Sequence, residues 1–183
     1  MMTDTVFNDN DYNSNDGMMT SIWGPLLWTS MHTISFNYPI KPTKIQQKQY
    51  YNFFLSLMYV IPCSTCRINF KKNLKVLPLS KNVMQNRESL SRWVYELHEL
   101  INNNLGKISN LSYENVRDRY EHFRARCLNN NKKDETGCTE SLYGVKSKCI
   151  LNIVPQNLKI DTFIVNKKCK ISKKKIKYYH LTV

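Results

Sequence analysis

The sequence predicts an all-α protein: a four- to five-helix bundle followed by a basic extension in which short β structure is expected. Three observations carry this. Apolar residues recur at three- and four-residue steps from Ile22 to Phe123. The periodic runs are closed by proline, glycine or polar clusters. No alternation of strand and helix patterns interrupts them, as a parallel sheet would require.

The elements follow in order. Residues 1–20 are polar, rich in Asn and Asp, and are expected to be a disordered acidic leader. The first helix is predicted from Thr20 or Ser21, either a good N-cap, with Pro25 in its first turn, to about Asn37. Its stripe is Ile22, Leu26, Leu27, Met31 and Ile34. A second runs from about Thr43 to Ile61, with Tyr50, Phe53, Phe54, Leu57, Met58 and Ile61 on one face, until Pro62 stops it. Cys63-Ser-Thr-Cys66 opens a short third helix to about Asn73, and residues 74–86 read as a loop. A fourth spans about Arg87–Leu105, striped by Leu90, Trp93, Leu97, Leu100, Ile101 and Leu105, with Gly106 as the natural C′ residue. A fifth is expected over Tyr113–Cys127. The domain boundaries predicted are therefore 1–20, 21–127 and 128–183, with short strands expected within 148–165.

Composition bounds the function. The 183 residues, 42% hydrophobic, suffice for one domain and a tail. No run of about 18 apolar residues occurs, so no membrane span is expected. Positions 1–20 show neither a basic n-region nor an apolar h-region and lack arginine, which reads against a secretory or mitochondrial leader. The net charge of +13 divides as −4 over 1–20, +9 over 21–126 and +8 over 127–183. A basic body attracts anions, phosphates included, though solvated surface charge accounts for it equally well.

The six cysteines are Cys63, Cys66, Cys127, Cys138, Cys149 and Cys169. Two cysteines three apart on a helical turn can close a disulfide. The first sits at a helix N-terminus, where the partial positive charge favours thiolate. Arg67, Lys71 and Lys72 add to that field. A thioredoxin-type site would follow a strand, whereas a long amphipathic helix precedes this one. A zinc site would need a second ligand pair, and no other C-x-x-C is present. A dithiol beside an organic electron acceptor is the third possibility.

Around these cysteines stand Trp23-Gly-Pro-Leu-Leu-Trp28-Thr-Ser-Met-His32-Thr, then Tyr38-Pro39, Pro62-Cys63-x-x-Cys66, Trp93-x-x-x-Leu97-His98-x-x-x-Asn102, and Leu105-Gly106-Lys107. In this order and spacing, over about Ile22–Arg126, the set resembles the Erv/ALR family of FAD-linked sulfhydryl oxidases. The resemblance implies a helical bundle, usually a homodimer, that holds FAD beside the C-x-x-C. It implies Cys63 as the exchanging cysteine and Cys66 as the flavin-proximal one. Trp23, Trp28, His32, Trp93, His98, Asn102, Lys107 and Tyr120 are the implied cofactor-binding residues, and no metal ligand is implied. Electrons would come from thiol-containing protein substrates, a thioredoxin- or glutaredoxin-like carrier among them, and leave to molecular oxygen as hydrogen peroxide. On pattern alone Trp28, Trp93 and Tyr120 would fill a core, and Lys107 would cap a helix.

Cellular members carry His-Asn where this chain has His98-Glu99, and a further disulfide where it has Tyr95 and Ser112 or Tyr113. The Leu111-Ser-Tyr-Glu114 stretch looks more like oxidases of large cytoplasmic DNA viruses. Host cytoplasm, virus factory or virion is then the expected location, with the mitochondrial intermembrane space as the alternative. Cys138, Cys149 and Cys169 are candidates for a shuttle pair feeding Cys63. The rival class is a basic nucleic-acid-binding or scaffold protein with a zinc-stabilised tail. The Lys-rich end suits it, but it does not account for the tryptophan–histidine register.

Overall fold

The computed structural model describes residues 8–126, 137–138, 140–142, 145–158, 160–161 and 164–169. Two compact units divide the chain, residues 1–109 and 110–183. The division falls inside the single domain expected over 21–127.

Unit one is the bundle. A single turn, α1 (Asp9–Tyr12), stands in the leader expected to be disordered, closed by reciprocal bonds between Asn8 and Asp11. Helix α2 is Thr20–Phe36. Its N-cap is Met19, which offers no side-chain bond, so neither Thr20 nor Ser21 caps it, and Pro25 falls in the second turn. Helix α3 (Lys44–Val60) begins at a Thr43–Gln46 capping box and ends at the Ile61–Pro62 step. Helix α4 (Ser64–Val76) runs three residues beyond the expected Asn73. Phe70 and Asn73 are buried, and Asn104 of the next helical segment donates its amide to the Asn73 side chain at 3.1 Å. That long-range partner holds the extra turn. Helix α5 (Arg87–Asn104) has Asn86 as N-cap and Leu105 as C-cap, followed by Gly106, whose φ of 65° is readily reached only without a side chain.

The core joins Met31 of α2, Phe54 and Leu57 of α3, Phe70 of α4, and Leu90, Trp93, Val94 and Leu97 of α5. Burying each such side chain stabilises the fold by roughly 1.5–3 kcal/mol. Tyr38, fully buried between α2 and α3, donates its hydroxyl to the Met84 carbonyl at 2.9 Å. Arg87 reaches back to the Tyr38 carbonyl at 2.7 Å. Leu105, placed on the α5 stripe by periodicity, is exposed because the helix has already ended there.

Unit two opens with α6 (Tyr113–Glu121), started by a Ser112–Asn115 capping box. It is shorter than the expected Tyr113–Cys127. Arg124 pairs with Glu121, and Ala125–Arg126 forms β1, antiparallel to β2 (Glu140–Ser141). The strand expected within 148–165 is not found among the described residues there; that stretch is irregular, and one 3₁₀ turn follows at Lys167–Cys169. Among the described residues no helix is long and apolar enough to cross a membrane.

Candidate active site

Pro62 forces the chain out of α3, and the next residue, Cys63, becomes the N-cap of α4. Its Sγ accepts the backbone N–H of Cys66 at 3.2 Å, in the position a serine or aspartate oxygen usually takes. Cys63 and Cys66 are joined as a disulfide with Cα atoms 5.2 Å apart, and both are half-buried. The sulfur of Cys63 therefore lies at the positive end of a 13-residue helix. That helix carries Arg67, Lys71, Lys72 and Lys75 and no acidic residue. Negative charge released on Cys63 is stabilised there.

The turn is held from two directions. Arg67 donates from its guanidinium to the Ile61 carbonyl at 2.6 Å. Met18 donates its backbone N–H to the Pro62 carbonyl at 2.9 Å, and the Trp23 indole N–H holds the Met18 carbonyl at 2.9 Å.

A second constellation forms where α2 meets α5. Trp28 and His98 stack with centroids 3.9 Å apart and planes 6° from parallel. His98 Nδ1 lies 3.1 Å from His32 Nε2, so one ring donates and the other accepts. His32 is buried, and Trp28 and His98 are half-buried. Burial pushes the His98 pKa down to about 4, helped by Lys107 and opposed by Glu99. The ring is therefore neutral at pH 7. One turn on, Asn102 donates its amide to Glu99 Oε1 at 3.1 Å, and the Ser109 hydroxyl donates to Glu99 Oε2 at 2.8 Å. This is what the glutamate following His98 does here: it ties the end of α5 to the segment beyond it. The Lys107 N–H closes on the Asn102 carbonyl at 2.8 Å, which sets that exposed side chain just past the helix end.

Of the residues read from sequence, Trp28, His32, His98, Asn102 and Lys107 come together on this edge. Trp93 lies in the core, 2% exposed, edge-on to Phe54, with its indole N–H on the Leu77 carbonyl at 3.3 Å. Trp23 spends its N–H on Met18. Tyr120 belongs to the second unit, edge-on to Phe123 at 5.8 Å. The contributions of Gly17, Met18 and Glu99 were not read from sequence. Backbone contacts at Gly17 and Met18 leave no motif, while Glu99 stood out only as a departure. Of the tail cysteines, Cys138 is disulfide-bonded, Cys149 and Cys169 are free, and Cys127 lies outside the described residues. Among the described residues no three His, Cys, Asp or Glu side chains gather as metal ligands.

The fold and site define a helical-bundle protein with a C-x-x-C disulfide at a helix N-terminus, and not at the end of a strand as in the thioredoxin fold. Residues 25–121 match the model of the Erv1 / Alr family, and the chain belongs to that family. A protein of Acanthamoeba polyphaga mimivirus, named as a FAD-linked sulfhydryl oxidase, is 41% identical over 85 residues, covering 46% of this chain and 59% of that protein. The FAD-linked sulfhydryl oxidase of African swine fever virus is 28% identical over 122 residues, 66% of this chain and 98% of the viral protein. A mutant Erv1 of Saccharomyces cerevisiae superimposes with a TM-score of 0.51 at 25% identity, over 57% of this chain and 66% of that one. The yeast Erv1 core, at 23% identity and a TM-score of 0.52, shares the fold. The chain spans 59% of the mimivirus relative and under half of the Arabidopsis and yeast relatives, at 43% and 41%.

Proposed function

We propose that the chain is a FAD-dependent thiol oxidase that makes disulfides in protein substrates, with Cys63–Cys66 as the entry point for electrons. The observation that carries this is the C-x-x-C disulfide capping α4 within a family whose relatives are named FAD-linked sulfhydryl oxidases.

The α2–α5 edge suits a dinucleotide. It offers a flat aromatic face in Trp28, the paired imidazoles of His32 and His98, the carboxamide of Asn102 and the ammonium of Lys107. The neighbouring carboxylate of Glu99 is already engaged by Asn102 and Ser109. We assign Trp28, His32, His98, Asn102 and Lys107 to the cofactor. Trp23 and Trp93 are proposed to support it indirectly, Trp93 from the core. Bound FAD would accept the electron pair and deliver it to oxygen, giving hydrogen peroxide.

The protein's own steps follow from the turn. A substrate thiolate attacks Cys63 Sγ, the Cys63–Cys66 bond breaks, and Cys66 leaves as thiolate. The second substrate thiol, giving up its proton, attacks the mixed disulfide; the substrate disulfide forms and Cys63 leaves. The Cys66 N–H and the α4 terminus stabilise that departing sulfur. Two substrate thiols are oxidised and one protein disulfide is reduced.

The relatives include proteins of mimivirus, African swine fever virus and Invertebrate iridescent virus 6. We place the activity in a virus-infected cell, in host cytoplasm, factory or virion, with small carriers of the thioredoxin or glutaredoxin kind among the substrates. We also propose a homodimer, supported by the exposed Ile22 and Leu26 one turn apart on α2.

The test is the absorption spectrum of purified protein titrated with dithiothreitol. A flavin band that bleaches when oxygen is excluded and returns in air is expected, and Cys66→Ser should leave it unmoved by dithiol. A colourless protein that takes up no added FAD would overturn the assignment.

A further inference from the structure

The leader does not hang free of the redox turn. At Gly17 a Cβ would lie 2.9 Å from the Pro62 carbonyl oxygen and 3.4 Å from the Cys63 Cα, so only glycine lets the backbone approach this closely. Met18 then donates its N–H to that same carbonyl at 2.9 Å, and the Trp23 indole clasps the Met18 carbonyl. Backbone thus lies on backbone beside the cysteine assigned to meet substrate.

Mixed-disulfide geometry gives this contact a consequence. Two residues joined through sulfur have Cα atoms about 4.4–6.8 Å apart. A polypeptide bonded to Cys63 must therefore bring its own main chain into the shell around the Cys63 Cα that Gly17 already partly occupies. A small dithiol carries no main chain and needs none of that space.

We propose that Gly17–Met18 is a strap that sets substrate selectivity at Cys63, slowing polypeptide dithiols and leaving small dithiols unaffected. The strap yields when the Met18–Pro62 hydrogen bond opens, and a substrate backbone then takes its place. This rests on the oxidase assignment above. Gly17 and Met18 determine specificity and touch no reacting atom.

Gly17→Val pushes the strap away, and Met18→Pro removes the donated N–H. In each, kcat/KM for reduced, unfolded lysozyme should rise about fivefold, the worth of one net hydrogen bond, while that for dithiothreitol stays level. A second readout needs no turnover. In a Cys66→Ser background, alkylation of Cys63 by a polyethylene-glycol maleimide should speed up relative to N-ethylmaleimide when the strap is changed, with Cys63 identified by peptide mass. If no thiol is oxidised by any variant, the oxidase assignment fails and the alkylation ratio still decides the strap. An unchanged ratio of large to small reagent overturns the proposal. So does a fall in lysozyme oxidation, which would make the segment a docking element.

Discussion

The redox turn and the α2–α5 edge lie in one unit but are built by opposite means. The turn is local: residues 61–67 contain Pro62, both cysteines and Arg67, and main-chain groups do most of the holding. The edge is assembled from rings 66 residues apart in sequence, and side chains do the work. The turn's chemistry thus depends on helix geometry and tolerates changes in neighbouring side chains. The edge depends on His98 staying neutral and lying parallel to Trp28, and on its bond to buried His32.

Three experiments test that contrast. Trp28→Ala removes the stacked face and should weaken FAD retention ~30-fold, roughly 2 kcal/mol, while leaving the alkylation rate of reduced Cys63 unchanged. If both fall together, the two regions are not independent. The next concerns pH. His98 titrates near 4 in the folded chain against an ordinary 6.5. Between those values the unfolded chain binds the extra proton, so stability is full above 6.5 and declines as pH falls toward 4. From pH 7 to pH 5 the loss from this ring should be roughly 2 kcal/mol. Urea unfolding at both pH values should show that loss shrinking in His98→Asn; identical pH dependence in the two proteins would deny His98 this role. The smallest effect is expected from Trp93→Phe, which keeps the buried ring and gives up the bond to Leu77. A loss of about 1 kcal/mol in unfolding free energy, with little change in flavin affinity, would fit a core residue. A tenfold drop in affinity instead would bring Trp93 to the cofactor.

What could be read from the sequence follows the same divide. The start of α3 at Thr43, its stop at Pro62 and the end of α5 before Gly106 are written in neighbouring residues, and the structure places them there. So is the helix-capping position of Cys63. The extra turn of α4 was hidden because Asn73 is a poor helix former on its own and is held by Asn104, 31 positions away. Helix α6 was overread because Tyr120 and Phe123 keep helical spacing, although the chain leaves the helix after Glu121 and turns into β1. Family register named Trp28, His32, His98, Asn102 and Lys107, which the structure sets along one edge, but it could not say that Trp93 lies in the core or that the Trp23 indole bonds to Met18. An indole is legible as an aromatic face, whereas the destination of its N–H is a tertiary fact.

The separation of 66 residues between His32 and His98 also orders events in time. The α3–α4 hairpin that presents Cys63 and Cys66 closes a short loop, whereas the edge waits for α5 to return to α2, a longer closure with a larger entropic cost. On a ribosome, the whole dithiol hairpin is made once Val76 is added, while His98 has yet to be synthesised. The newborn chain thus completes its dithiol hairpin before the edge proposed for the cofactor exists, and under the proposed function its first Cys63–Cys66 disulfide is supplied by an outside oxidant or waits until the bundle is complete.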